Sequence, residues 1–128
     1  MARELKRILY VEDEPDIQAV AKIALENVGG FTVEICSSGF EALEKGSDFH
    51  PDLLLLDVMM PGMDGVSTLQ ALRKQPGLAT TPAMFMTAKV RPSEVEQLRK
   101  EGAIDVIPKP FDPMTLSENL KSLWNKHT

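Results

Sequence analysis

The feature that most constrains the fold of this chain is an unbroken run of leucine at positions 53–56. Successive side chains of a β-strand point to opposite faces of the sheet, so a strand that is apolar at every position has both faces covered. Such strands are typical of parallel sheets that carry helices on both sides. The run therefore predicts a three-layer α/β sandwich.

Short β-prone runs alternate with segments of helical spacing along the chain. The predicted strands cover residues 7–11, 31–36, 53–58, 83–87 and 105–107, and a predicted helix follows each of them. No low-complexity tract, linker or charge block interrupts this pattern. The alternation indicates five βα units in a single domain of residues 1–128.

Capping residues and apolar spacing mark the ends and the buried faces of the helices. Pro15 suits the first turn of the first helix, and Asp112 is expected to open the fifth. Ser38 and Ser93 each precede a glutamate by three residues, the spacing of a capping box. Ser38 should open the second helix, and Pro92 with Ser93 should open the fourth. The apolar stripe of the first helix consists of Ile17, Val20, Ala21, Ala24, Leu25 and Val28.

The charge and hydropathy of the chain exclude several classes of protein. Its 14 basic and 19 acidic residues give a net charge of -5, which argues against a direct nucleic-acid partner. The longest apolar run is far shorter than a membrane span, and residues 1–4 contain no apolar segment of a signal peptide. Cys36, the only cysteine, cannot form an internal disulfide and fits a reducing compartment. We therefore expect a cytoplasmic protein that does not contact membranes.

Charged and hydroxyl side chains lie at the carboxyl ends of four predicted strands. Glu12 and Asp13 follow the first strand, and Asp57, Thr87 and Lys109 lie at the ends of the third, fourth and fifth. Ligands of open parallel sheets bind at this edge, so these side chains should converge. Clustered carboxylates repel one another and tend to bind protons or a divalent cation, and Mg²⁺ prefers such oxygen ligands. Asp13 and Asp57 are the expected magnesium ligands.

Four motifs occur at these strand ends and carry a family resemblance. They are LYVEDEP at 9–15, LDVMMPGMDG at 56–65, MTA at 86–88 and KPF at 109–111. In this order and spacing they resemble the signatures of receiver domains of two-component response regulators, including chemotaxis regulators, over nearly the whole chain. The resemblance implies a flavodoxin-like (βα)5 fold with a five-stranded parallel sheet of order 2-1-3-4-5.

The resemblance also implies a role for each site residue. Asp57 would be the nucleophile that takes a phosphoryl group from a histidine kinase or a histidine phosphotransfer protein. Lys109 would neutralise charge on the phosphoryl oxygens, and Thr87 would hydrogen-bond one of them after transfer. The implied Mg²⁺ ligands are Glu12, Asp13, Asp57 and the backbone carbonyl of Met59. The domain would be a signalling switch and not an enzyme, catalysing only its own phosphorylation and slow dephosphorylation.

A few residues affect how the implied switch and the implied phosphoryl site would work. Many family members place an aromatic residue at the position of Val106, so the output switch here would depend on Thr87, on the loop 88–91 and on helix repositioning. The resemblance implies that Met59 and Lys89 would flank the path of the hydrolytic water. Neither side chain can act as a base, so slow dephosphorylation is expected. The peptide bond before Pro110 is expected to be cis, in the manner of the family.

The sequence is compatible with several hypotheses about function and oligomeric state. The chain could be a phosphorelay intermediate, or a receiver belonging to a larger regulator or hybrid kinase, and its output protein or domain is not identified. It could be a monomer or a phosphorylation-dependent dimer. A Mg²⁺-dependent phosphohydrolase with an aspartate nucleophile is an alternative of another class, although Met59 stands where such enzymes need a second acid. A flavodoxin-like electron carrier is disfavoured because the acidic residues 12–14 would repel a flavin phosphate.

Overall fold

The structure is a computed structural model that describes residues 4–128. Residues 1–3, part of the stretch predicted to lack a signal peptide, lie outside the described residues. Five strands form one sheet: β1 (Arg7–Val11), β2 (Thr32–Cys36), β3 (Leu53–Asp57), β4 (Ala83–Thr87) and β5 (Asp105–Pro108). All neighbouring strands are parallel, and their order is β2-β1-β3-β4-β5. The predicted strand order 2-1-3-4-5 is confirmed.

Helices cover both faces of this sheet. They are α1 (Pro15–Lys22), continued by a π-helical segment (Ile23–Val28), then α2 (Gly39–Phe49), α3 (Gly65–Leu72), α4 (Pro92–Lys100) and α5 (Leu116–His127). No helix within residues 4–128 is long and apolar enough to cross a membrane.

Strand β3 is buried at every position and separates two apolar cores. Leu53 and Leu55 belong to the core that lies against α1 and α5, whereas Leu54 and Leu56 belong to the core against α2 and α3. Burying a leucine side chain stabilises a fold by about 2 kcal/mol, so each leucine of the run at 53–56 contributes to joining the layers. The predicted three-layer sandwich is confirmed.

The strand register brings the ends of four strands to one edge of the sheet. The paired residues nearest this edge are Val11 with Leu56, Asp57 with Met86 and Thr87 with Pro108. The residue that follows β1 therefore lies beside the last residue of β3. The residue that follows β5 lies next to the end of β4.

The first helix departs from its predicted stripe. Ala21, Ala24 and Leu25 are buried as predicted, but Val20 and Val28 are 42% and 48% exposed. The chain widens into the π-helical segment after Lys22, which changes the angle between successive side chains and turns Val28 away from the core. The prediction that all six residues face the sheet is wrong for these two valines.

Three helix starts test the predicted caps. The hydroxyl of Ser38 accepts a hydrogen bond from the backbone of Glu41 at 3.0 Å, so this cap is confirmed. The predicted opening of the fourth helix at Pro92 is confirmed, but the capping box at Ser93 is wrong, because Arg91 is the N-cap residue and no side chain caps the helix. Asp112 does not begin α5 either. It forms a turn whose carbonyl accepts from the backbone N–H of Leu116, where the helix starts.

Candidate functional site

A buried ion cluster lies at the carboxyl edge of the sheet. Glu12 is completely buried and Asp57 is 3% exposed. Lys109 reaches both acids from the end of β5, its Nζ lying 2.9 Å from Glu12 Oε1 and 3.2 Å from Asp57 Oδ1. The peptide bond between Lys109 and Pro110 is cis, as predicted. One ammonium thus bridges two buried carboxylates, one directly after β1 and one at the end of β3.

A third carboxylate completes the cluster. Oxygens of Glu12, Asp13 and Asp57 all lie within 4.8 Å of one another. Within the described part of the chain, the buried Oδ1 of Asp13 has no hydrogen-bond partner. Buried carboxylate oxygens are normally paired, and among the described residues these three acids have one ammonium, that of Lys109, beside them. The donor set therefore fits a hard divalent cation, which would pair the oxygen of Asp13 and offset the excess negative charge.

The electrostatics of the cluster follow from its burial. Desolvation, and then the charge of Glu12, raise the pKa of Asp57 to about 6 against the opposing effect of Lys109. Burial disfavours the charge of Lys109, but its hydrogen bond to Glu12 and the charge of Asp57 outweigh burial and raise its pKa. Lys109 is therefore charged at neutral pH, and Asp57 becomes ionised only as the pH approaches neutrality.

Two residues that support the cluster were not predicted. The hydroxyl of Tyr10 donates to Glu12 Oε1 at 3.4 Å, and burial raises the pKa of this hydroxyl, which keeps it protonated. The side-chain amide of Gln18 in α1 donates to the backbone carbonyl of Glu12 and to Ser37 Oγ. The available signal for the first contact was the two-residue spacing between Tyr10 on β1 and Glu12, which directly follows that strand. Nothing in the sequence points to the second.

Thr87 lies at the end of β4, next to the cluster, and is buried. Its Oγ1 accepts a hydrogen bond from the backbone N–H of Lys89 at 3.0 Å, so the hydroxyl is engaged with its own loop. The side chain of Lys89 is exposed, and that of Met59 is 68% exposed. Thr87 is thus engaged with its own loop, and the side chains of Lys89 and Met59 face solvent.

The loop after β3 is held tightly against Asp57. Asp64 caps α3 by accepting from the backbone of Ser67 at 2.8 Å. The N–H of Gly65 donates to the carbonyl of Val58 at 2.9 Å, and a Cβ on Gly65 would collide with the backbone carbonyl of Asp57. Gly65 is therefore required for its small size, which lets α3 start directly beside the central acid of the site.

The chain belongs to the response regulator receiver domain family. Residues 8–121 match the model of this family, described as the response regulator receiver domain. Membership of this family gives the chain a signalling role. The signalling role is therefore favoured over the phosphohydrolase and electron-carrier hypotheses.

Known proteins resemble the chain in sequence and in structure. It is 34% identical over 117 residues to the DNA-binding response regulator MtrA of Mycolicibacterium smegmatis, a match that covers 91% of this chain and 50% of MtrA. It is 36% identical over 121 residues to the transcriptional regulatory protein PhoP of Bacillus subtilis, covering 94% and 49%. The chain thus spans about half the length of these curated relatives.

A solved structure matches over almost its full length. The chemotaxis protein CheY4 of Vibrio cholerae superposes with a TM-score of 0.84 at 30% sequence identity, covering 94% of this chain and 99% of CheY4. The predicted flavodoxin-like fold is confirmed by this similarity and by the strand order.

Proposed function

We propose that this receiver takes a phosphoryl group on Asp57 from the phosphohistidine of a histidine kinase or histidine phosphotransfer protein. A carboxylate oxygen of Asp57 attacks phosphorus, the bond from phosphorus to the donor imidazole nitrogen breaks, and the imidazole leaves with the electron pair. The observation that carries this proposal is the position of Asp57. It is a buried carboxylate at the ligand-binding edge of the sheet, with Lys109 Nζ 3.2 Å from its Oδ1.

The acids around Asp57 support a requirement for Mg²⁺. Glu12, Asp13 and Asp57, with the backbone carbonyl of Met59, would hold the ion. When bound, Mg²⁺ would withdraw negative charge from the phosphoryl oxygens. Asp13 has a clear part in this set, because its buried Oδ1 has no partner within residues 4–128.

Lys109 and Thr87 would act on the phosphoryl group once it is bound. The ammonium of Lys109 already contacts Asp57 and would neutralise a phosphoryl oxygen attached there. The hydroxyl of Thr87 now accepts from Lys89, and it would rotate to donate to the phosphoryl group and draw the loop 88–91 inward. Because Val106 supplies no aromatic side chain, the signal would reach the surface of α4, β5 and α5 through this loop.

Membership of the receiver family supports the proposed partners and the proposed cellular location. The input partner would be a histidine kinase or a phosphotransfer protein, and the output would be a separate protein or a domain of a larger regulator. The receiver would act in the cytoplasm, with no direct contact to nucleic acid or membrane, as a monomer or a phosphorylation-dependent dimer. Its catalysis would be limited to its own phosphorylation and slow dephosphorylation, and one domain would comprise residues 1–128.

Incubation with a small acyl-phosphate donor and Mg²⁺ tests this function. Intact-mass measurement should show one phosphoryl group on the wild-type protein and none in excess EDTA or on Asp57→Asn. Equal labelling of Asp57→Asn would show that Asp57 is not the acceptor. No labelling of a folded wild-type protein by several donors would contradict the proposed function itself.

A further inference from the structure

Tyr10 brings a hydroxyl into an apolar part of the protein. It is completely buried in β1, in the core cluster that also contains Leu55, Met86 and Ile107. A buried hydroxyl costs free energy unless it is hydrogen-bonded, whereas a phenylalanine ring would fill the same space without that cost. The one hydrogen bond this hydroxyl makes among the described residues is the 3.4 Å donation to Glu12 Oε1. The polar end of Tyr10 is thus directed at the ion cluster.

The carboxylate of Glu12 is held by three hydrogen bonds from residues 4–128. Its Oε1 accepts from Tyr10 and from Lys109 Nζ, and its Oε2 accepts from the backbone of Glu14 at 3.3 Å. Since Glu12 is completely buried, solvent does not replace a donor that moves away. The donor of Oε1 that belongs to the rigid sheet is Tyr10, whereas Lys109 lies at the end of a flexible side chain.

We propose that Tyr10 is a positioning residue: its hydroxyl holds the Glu12 carboxylate in place and remains the donor to Oε1 when Lys109 turns toward a phosphoryl group on Asp57. This inference rests on the proposed function. The phosphoryl oxygens compete with both carboxylates for the ammonium of Lys109. Tyr10 therefore keeps a Mg²⁺-holding acid oriented at the stage when the lysine contact weakens.

A positioning role of this kind requires a specific coupling between Tyr10 and Lys109. While Lys109 is present, loss of the hydroxyl leaves Glu12 Oε1 with its shorter and charged donor, so the effect is small. When the ammonium is absent, loss of the hydroxyl leaves that oxygen with no side-chain donor from residues 4–128, and the effect is larger. A purely structural role for Tyr10 has no reason to depend on Lys109.

A double-mutant cycle on Mg²⁺ affinity measures this coupling. Calorimetry would compare the wild type, Tyr10→Phe, Lys109→Met and the double variant. Both substitutions approximately retain the size of the side chain. We expect Tyr10→Phe to weaken Mg²⁺ binding less than about twofold in the wild type and about three- to tenfold in the Lys109→Met background. The same factor in both backgrounds would overturn the inference.

Phosphorylation gives a second readout, at saturating Mg²⁺. Labelling of Tyr10→Phe by the acyl-phosphate donor should be about three- to tenfold slower than that of the wild type. Ser117→Ala is the matched control, because it also removes a buried hydroxyl, one that donates to the carbonyl of Ala24 away from the cluster. A Tyr10→Phe protein labelled at the wild-type rate, or an equal slowing by Ser117→Ala, would overturn the inference.

The two experiments separate this inference from the proposed function. If the wild type is labelled and Tyr10→Phe shows no coupling to Lys109, the positioning role fails and the phosphoacceptor role stands. If the wild type is not labelled, the proposed function fails, and the Mg²⁺ cycle still decides whether Tyr10 holds Glu12.

Discussion

Replacing Asp57 by asparagine should stabilise the metal-free protein at neutral pH, although it removes the proposed phosphoacceptor. The asparagine side chain has the shape of the protonated acid but does not ionise, so Asp57→Asn removes the cost of a buried charge. In the wild type, burial and the neighbouring Glu12 raise the pKa of Asp57 from 3.8 to about 6. The folded protein therefore holds this carboxylate less favourably than the unfolded chain does.

The size and sign of the effect follow from that pKa. One pKa unit corresponds to about 1.4 kcal/mol, so a rise from 3.8 to about 6 costs about 3 kcal/mol once the group is ionised in both states. Because the pKa of Asp57 is higher in the folded protein than in the unfolded chain, its protonated form favours the folded state. This contribution to the free energy of unfolding is complete below the unfolded pKa and is lost as the pH rises through the folded pKa. Asp57→Asn should thus match the wild type near about pH 4 and exceed it by about 2–3 kcal/mol near about pH 8.

Urea unfolding in excess EDTA measures this difference. Trp124 is 2% exposed in the folded protein, so its fluorescence reports its exposure on unfolding. Asp48→Asn is a suitable control because Asp48 lies on α2, away from the ion cluster, and it should change the free energy of unfolding by less than about 0.5 kcal/mol. Saturating Mg²⁺ should narrow the gap, since the ion stabilises the wild type through ligands that the variant lacks. An Asp57→Asn protein less stable than wild type in EDTA near neutral pH would refute the reasoning.

Three other predictions follow from the geometry of the site. Asp13→Ala should greatly weaken Mg²⁺ binding in calorimetry, because it removes the buried oxygen that has no partner among the described residues, and an unchanged dissociation constant would contradict its role. Gly65→Ala should destabilise the fold by about 1–3 kcal/mol in urea unfolding, because the added methyl group collides with the backbone of Asp57, and wild-type stability would show that the close approach is absent. The double variant Met59→Asn, Lys89→Glu should lose its phosphoryl group faster than the wild type in the same Mg²⁺ buffer, because both new side chains can orient a water molecule. Slower loss would defeat that idea.

The fold was predictable because its strongest constraints are local. The leucines at 53–56 require cover on both faces, and the alternation of strands with helices then leaves a parallel sheet as the arrangement. The carboxyl ends of parallel strands share one edge, so Glu12, Asp57 and Lys109 could be brought together from sequence positions alone. The strand order itself came from the family resemblance and not from the residues.

The features that were predicted wrongly or not at all have physical causes that the local sequence pattern does not contain. Helical spacing assumes a constant turn, and the π-helical segment after Lys22 breaks that assumption and exposes Val28. Asp112 is as good a turn residue as a helix cap, and only the packing of α5 decides between them. The need for glycine at position 65 arises from its contact with the backbone of Asp57, which depends on the loop conformation. Such tertiary contacts are not encoded in residue spacing.

The most direct test of the central claim is to locate the phosphoryl group chemically. Borohydride reduces an aspartyl phosphate to homoserine, and tandem mass spectrometry of the digested protein then identifies the reduced position. We expect conversion of Asp57 to homoserine, only after incubation with both an acyl-phosphate donor and Mg²⁺. Conversion at another acid such as Asp13, or an unreduced Asp57 in protein whose intact mass shows a phosphoryl group, would contradict the assignment of Asp57 as the phosphoacceptor.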